Sequence, residues 1–170
     1  MHEVLAEGRW IRLIRADGWE WAERTNASGI VVLVAITEAG ELVLVEQFRK
    51  PVGRRVLELP AGLAGDLADQ PDEALETAAL RELEEETGFT AERVERLTEG
   101  PVSAGFTSEV VTFFRCSGLT RVGIGGGDES EDIVVHVVAM PDIPAFLADR
   151  AQQGVAIDPK VWAGMWFARS

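Results

Sequence analysis

The sequence predicts an α+β fold, layered α/β/α, with a mixed central sheet flanked by helices and a small antiparallel hairpin unit at the N-terminus. Three observations predict it. The run GIVVLVAI, residues 29–36, is β-branched and apolar on both faces, the pattern of a strand buried in the middle of a sheet. A continuous stretch of strong helix formers, residues 73–88, lies mid-chain. Two later segments, 144–153 and 159–168, carry Pro at or near a first helical turn.

The elements follow in order. Val4, Trp10, Ile11, Leu13, Ile14, Trp19 and Trp21 are interrupted by Gly8 and by Asp17-Gly18, and Asp-Gly between apolar runs marks a hairpin turn. Residues 1–28 are therefore expected to form the antiparallel unit. After the central strand, Glu38-Ala39-Gly40-Glu41 turns the chain into a second strand, LVLVEQF. A third strand is expected over 54–59, closed by Pro60, which has no amide hydrogen to give a ladder. Residues 61–72 hold two glycines, a proline and three aspartates and read as a loop. Asp72 is the expected N-cap of the mid-chain helix, and Gly88 its left-handed C-cap residue. Further strands are expected at 94–97, 110–116 and 133–138, the last two separated by the glycine-rich, acidic GIGGGDESED. With no internal repeat and no long linker, 1–170 reads as one domain: the N-terminal unit, a core over 30–140, and C-terminal helices over 141–170.

Composition narrows the function. A chain of 170 residues with 46% hydrophobic and 26% charged residues is that of an ordinary globular protein with one core. Its formal charge of −13 repels nucleic-acid backbones and anionic membranes at long range, so neither is an expected partner. A small anionic substrate stays open if cations are bound locally. Cys116, the single cysteine, forms no internal disulfide; the start MHEVLAEGRW lacks a secretory pattern, and no stretch approaches a membrane span. The expected location is cytoplasmic.

The helix at 73–88 carries the chemistry. At about 100° per residue, Glu82, Glu85 and Glu86 share an arc of roughly 100° on one face. At about 6 Å and an effective dielectric near 20, each pair repels by roughly 3 kcal/mol, less in open water. The backbone dipole at the helix C-terminus adds to the cost. Two arrangements offset it: a fully solvated amphipathic helix, or a divalent cation held by hard oxygen ligands.

The run Arg81-Glu82-Leu83-Glu84-Glu85-Glu86-Thr87-Gly88-Phe89 resembles the core of the Nudix hydrolase motif, with Glu73 at the motif's upstream glutamate, seven residues before Arg81. The preceding Glu58-Leu59-Pro60-Ala61-Gly62 resembles the strand-to-loop passage of the ADP-ribose pyrophosphatase branch. The likeness covers residues 30–138 well. It departs in one place: ten residues separate Gly62 from Glu73 where the family pattern has five, so the loop is expected to be longer, with Gly62 keeping the turn and 65–71 bulging outward. The resemblance implies that Glu82, Glu85 and Glu86, with the backbone carbonyl of Ala61, ligate Mg²⁺ or Mn²⁺. Arg81, Glu73, Gly62 and Gly88 would support them structurally. The implied reaction is hydrolysis of the diphosphate bond of ADP-ribose or a related nucleoside diphosphate sugar to a nucleoside monophosphate and a sugar phosphate.

A second constellation, Ser103-Ala104-Gly105-Phe106-Thr107-Ser108-Glu109, resembles the branch's Ser-Pro-Gly loop that ends in a glutamate, with Ala104 where that branch has proline. Glu109 is then the implied general base, and Glu85 the fallback. Arg49 matches the arginine after the second strand, suited to a diphosphate; Arg54 and Arg55 either share that role or solvate a strand end. Trp19 and Trp21 share one face of the N-terminal hairpin. In the resembling branch this region meets a second subunit and contacts the base, implying a homodimer; core packing is the alternative. His2 and His136 carry little weight, and the segment 123–127 lacks a phosphate-cradle pattern. Its acidic continuation, 128–132, reads as a solvated loop or a flap over the site. Rival readings are hydrolysis of GDP-mannose or dinucleoside polyphosphates, and a non-catalytic sensor of ADP-ribose.

Overall fold

The computed structural model describes residues 2–127 and 132–169. The N-terminal unit is a three-stranded antiparallel sheet of β1 (Glu3–Glu7), β2 (Ile11–Ala16) and β3 (Trp19–Arg24), in that order. Asp17 and Gly18 make the expected turn, both with positive φ (49° and 82°), as a type I′ hairpin requires.

The mixed sheet is divided in two. One four-stranded sheet runs β7 (Ala61–Ala64), β4 (Gly29–Ala35), β9 (Val110–Arg121), β8 (Phe89–Pro101), with β4 and β9 parallel. The other runs β10 (Val134–Ala139), β5 (Glu41–Arg49), β6 (Arg54–Glu58), β11 (Ala156–Ile157), with β6 and β11 parallel. Three helices complete the fold: α1 (Leu75–Thr87), α2 (Ile143–Gln152) and α3 (Pro159–Phe167).

The two-faced strand β4 organises the layers. Its residues 31–35 are wholly buried, and their alternation separates two cores. Val31, Leu33 and Ala35 pack with Ala78, Ala79 and Leu83 of α1. Val32 and Val34 pack with Leu42 and Leu44 of β5 and with Ile143, Leu147, Val161 and Met165 of α2 and α3. Each such aliphatic side chain removed from water contributes about 1.5–3 kcal/mol, so α1 is fixed to the sheet by its apolar face, while Glu82 and Glu86 turn toward β7.

Three expectations are corrected. Residues 61–64 are a strand and not loop, because β4 offers them an antiparallel edge, Ile30 opposite Leu63 and Val32 opposite Ala61. The strand expected at 94–97 runs from 89 to 101, a long and largely polar ribbon held by pairing with β9. The helix starts at Leu75 with Ala74, and not Asp72, in the cap position, and no side chain caps it. Glu73 lies just before the helix and turns inward to Arg81.

Candidate functional site

The end of α1 is held from outside. Gly88 takes a left-handed φ of 72° and donates its N–H to the Glu84 carbonyl at 2.8 Å, the expected C-cap. The segment 122–127 then supplies donors to carbonyls that a helix C-terminus leaves orphaned. Gly126 N–H reaches Glu86 O at 2.9 Å, Gly127 N–H reaches Glu85 O at 3.0 Å, and Val122 and Gly123 both donate to Gly88 O. A Cβ on Gly125 would lie 2.4 Å from the Thr87 carbonyl carbon, so glycine is needed for the close approach. This segment is a clasp on the helix carrying the acids. Residues 128–131 of the acidic stretch lie outside the described residues; Asp132 pairs with Arg55 at 2.9 Å.

The acidic face of α1 meets β7. Ala61 N–H donates to Glu86 Oε2 at 3.0 Å and Leu63 N–H to Glu82 Oε1 at 3.2 Å. Between them Gly62 has no room for a side chain: a Cβ would fall 1.8 Å from the Glu82 carboxyl carbon. Gly62 therefore serves close approach within a strand, and not the turn expected of it. Gly65, with φ 72°, begins the longer loop, and its N–H bonds Glu73 Oε2.

Arg81 ties the acids together. Its Nη1 donates to Glu82 at 2.9 Å and Glu85 at 3.1 Å, its Nη2 to Glu73 at 3.0 Å and the Leu63 carbonyl at 2.8 Å, and its Nε to Glu73 at 3.0 Å. The hydrogen bond from Arg81 holds the Glu73 carboxyl below its ordinary range; burial opposes and the Gly65 N–H assists. Glu82 moves the other way. Burial pushes it up to about 7, with Arg81 opposing and the charges of Glu85 and Asp66 adding to the rise.

Arg81, Glu82, Glu85 and Glu86 line a cleft of about 510 Å³, which also takes in Arg24, Arg49, Glu58, Glu109 and Lys160. Glu109 stands at the start of β9, bound through Oε1 to Arg24 Nε at 2.7 Å. Arg24 closes β3, which reaches the 103–108 loop by main-chain bonds, Ala22 N–H to Phe106 O and Ser108 N–H to Ala22 O. Arg49 Nε bonds Glu58 Oε2 at 2.7 Å, and Lys160 Nζ bonds Asp158 Oδ2 at 2.6 Å. The structure thus brings together Glu82, Glu85, Glu86, Ala61, Gly62, Arg81, Arg49 and Glu109.

Other expected residues fall elsewhere. Arg54 pairs across from Arg49 but is exposed and does not line the cleft, while Arg55 turns to Glu46 and Asp132. Trp19 and Trp21 line a separate open pocket of about 370 Å³ with His2, Ala104 and Gly105. Trp19 is 65% exposed, which excludes core packing for that ring. His136, given little weight for want of an acidic partner, has one: Glu46 at 3.2 Å. Arg24, Asp158 and Lys160 escaped sequence reasoning, which takes in Glu58 only as part of the strand-to-loop run. No local pattern marks Arg24, whose partner is 85 residues away.

The donor set suits a hard divalent cation: three carboxylates on one helix face, one of them driven toward neutrality by burial and like charge. The carboxylates are not preassembled as a cage. Among the described residues no three acidic, histidine or cysteine side chains converge as a ready cation site. Arg81 holds the Glu82 and Glu85 carboxylates, and the Ala61 contact with Glu86 is through its N–H.

Comparisons with known proteins agree with this geometry. Residues 26–156 match the family model described as NUDIX domain. An ADP-ribose pyrophosphatase of Bacillus subtilis (strain 168) is 41% identical over 72% of this chain and 64% of its own length, so the match spans less than two thirds of that relative. The ADP-sugar pyrophosphatase of Mus musculus is 31% identical over 95% of this chain and 82% of its own. A crystal structure described as an ADP compounds hydrolase superposes with a TM-score of 0.71, covering 99% of this chain and 90% of that one at 19% identity, a likeness of fold. No helix among the described residues is long and apolar enough to cross a membrane.

Proposed function

The chain belongs to the Nudix family, and from that premise we propose that it is a pyrophosphohydrolase acting on the diphosphate bond of ADP-ribose or a related nucleoside diphosphate sugar. The products are a nucleoside monophosphate and a sugar phosphate. One observation carries the reading: the acidic face of α1 and Glu109, which are distant in sequence, open onto one cleft with Arg49 and Lys160.

Nudix hydrolases in general use divalent metal ions. Glu82, Glu85 and Glu86, with Ala61, would hold Mg²⁺ here, or Mn²⁺ in its place. Such an ion neutralises diphosphate oxygens and acidifies water. The rest falls to the chain's own groups. Glu109 takes the proton of the attacking water as general base, held in orientation by Arg24. Arg49 offers planar donors to the diphosphate, and Glu58 fixes its direction. Arg81 and Glu73 keep the ligand carboxylates in place. Trp19 and Trp21 offer ring faces to a nucleobase, and the N-terminal sheet is the expected contact of a homodimer. The expected setting is the cytoplasm.

The deciding experiment is product release from ADP-ribose, ADP-sugars, GDP-mannose and dinucleoside polyphosphates, with Mg²⁺, with Mn²⁺ and with chelator. Ion-dependent cleavage of ADP-ribose to AMP and ribose phosphate is expected. Preference for another compound on the panel moves the substrate, and binding of ADP-ribose without turnover makes the protein a sensor. A monomeric mass at micromolar concentration removes the dimer.

A further inference from the structure

The helix α1 ends where its own stability is lowest. Its last turn, residues 84–87, holds three consecutive glutamates and no basic side chain, so the acids face one another and the negative end of the backbone dipole. Helix ends also fray, since the last carbonyls have no partner inside the helix. Glu85 and Glu86, two of the three acids assigned to the divalent ion, stand in that turn. A metal site needs its ligands placed to within about 0.5 Å, so this turn needs support from outside the helix. Three consecutive glycines supply it. Gly127 N–H donates to the Glu85 carbonyl at 3.0 Å and Gly126 N–H to the Glu86 carbonyl at 2.9 Å. Both bonds reach a ligand residue through its main chain, so neither competes with an ion for its carboxylate.

The contact exceeds what ending a helix requires. Gly88 already closes α1 by donating to the Glu84 carbonyl, so what the two further bonds add is a fixed location for Glu85 and Glu86. Glycine is demanded on both sides of the contact. Gly125, Gly126 and Gly127 have φ of 69°, 112° and 79°, values that residues with a side chain rarely adopt. A Cβ on Gly125 would also lie 2.7 Å from the Gly88 nitrogen, and one on Gly88 would lie 2.3 Å from the Gly123 carbonyl oxygen. These are main-chain atoms and cannot swing aside. The segment is itself anchored at its start: Arg121 Nη2 donates to the Ile124 carbonyl at 3.3 Å, and its guanidinium lies over the Phe89 ring, 5.2 Å from the centroid.

We propose that Gly125, Gly126 and Gly127 are positioning residues of the metal site: by holding the main chain of Glu85 and Glu86 they set those carboxylates for the divalent ion before it arrives. This deepens the hydrolase reading above and rests on it. The test titrates Mn²⁺, followed by paramagnetic resonance, into the unaltered protein, Gly125→Ala and Gly40→Ala. Gly40 has a φ of 76° and open space where a Cβ would go, so its alanine variant carries comparable backbone strain in the turn between β4 and β5. Gly125→Ala is expected to weaken Mn²⁺ binding by roughly ten- to hundredfold, the range for groups that orient a metal ligand. Its kcat recovers at saturating Mn²⁺, and its KM for ADP-ribose stays within about twofold. Gly40→Ala binds Mn²⁺ as the unaltered protein does. In the unaltered protein without nucleotide, Mg²⁺ slows amide hydrogen exchange at Gly126 and Gly127, because ion binding and the ordering of this contact are reciprocal. A segment that merely caps α1 would lower the thermal midpoint in Gly125→Ala and leave Mn²⁺ affinity alone. Unchanged affinity in a folded Gly125→Ala, or an equal loss in Gly40→Ala, overturns the assignment while turnover by the unaltered protein keeps the hydrolase reading. If Gly125→Ala does not fold, indifference of the two amides to Mg²⁺ overturns it instead. No Mn²⁺ binding and no turnover by the unaltered protein overturn both.

Discussion

Glu46 and Glu82 are both largely withdrawn from water, with side chains 7% and 12% exposed, yet burial is outweighed around the first and not around the second. Glu46, on β5, receives Arg55 Nε at 2.7 Å and His136 Nε2 at 3.2 Å, and Arg150 of α2 stands 3.7 Å away. Burial is the largest single influence on its carboxyl and acts upward, but the hydrogen bonds from Arg55 and His136 together prevail and hold it below its ordinary range. Around Glu82 the same contest ends the other way, because Arg81, which pairs with it, is divided among Asp66, Glu73, Glu82 and Glu85. The contrast separates two uses of a buried acid. Glu46 is a strut joining β5, β6, β10 and α2, while Glu82 belongs to a face short of positive charge, which is where a divalent ion binds to best effect.

The largest effect expected is at Glu109, a third partly buried acid, bound to Arg24 at 2.7 Å. Glu109→Gln should lower kcat by about 10²–10⁴-fold with little change in Mn²⁺ affinity measured by paramagnetic resonance. An unaffected rate would transfer the base role to Glu85. Next, Glu82→Gln should cost at least about a hundredfold in turnover, beyond the 10–100-fold typical of groups that only support a ligand, without lowering the thermal midpoint. Glu46→Gln should do the reverse: kcat within about twofold, and stability to urea reduced by about 3 kcal/mol, since it strips charge from a buried pair and leaves its partner behind. Equal behaviour of the two variants would abolish the distinction drawn between them.

The smallest effect is one of pH. A carboxyl whose folded-state value is depressed stabilises the protein in full above its unfolded value, about 4.3 for Glu, and that contribution disappears as pH falls through the lower folded value. The stability gap between the unaltered protein and Glu46→Gln should therefore shrink as pH falls below about 4. A gap that stays the same to pH 3 would mean that Glu46 acts through packing and not through its charge.

What was legible in the chain was local. The two-faced strand 31–35, the Asp17-Gly18 turn, the Gly88 cap and the shared face of Glu82, Glu85 and Glu86 all depend on neighbours within a turn or a strand, so pattern and spacing carry them. What was misread depended on distant partners. Residues 61–64 look like loop until β4 is beside them, and Gly62 looks like a turn residue until the Glu82 carboxylate is found against it. The glycines at 123–127 had no assignable purpose without the end of α1, whose carbonyls they cover.

The sequence alone determined which groups are available and on which face of α1 they stand, because helical periodicity converts spacing into direction. Only the tertiary structure decided which charges are answered. Arg81 is shared among four acids, Arg24 is turned to Glu109, and Lys160 is brought into the cleft by a cap on a C-terminal helix. Charges interact through space and at the dielectric of their surroundings, and both quantities are fixed by packing between segments that the chain order keeps apart.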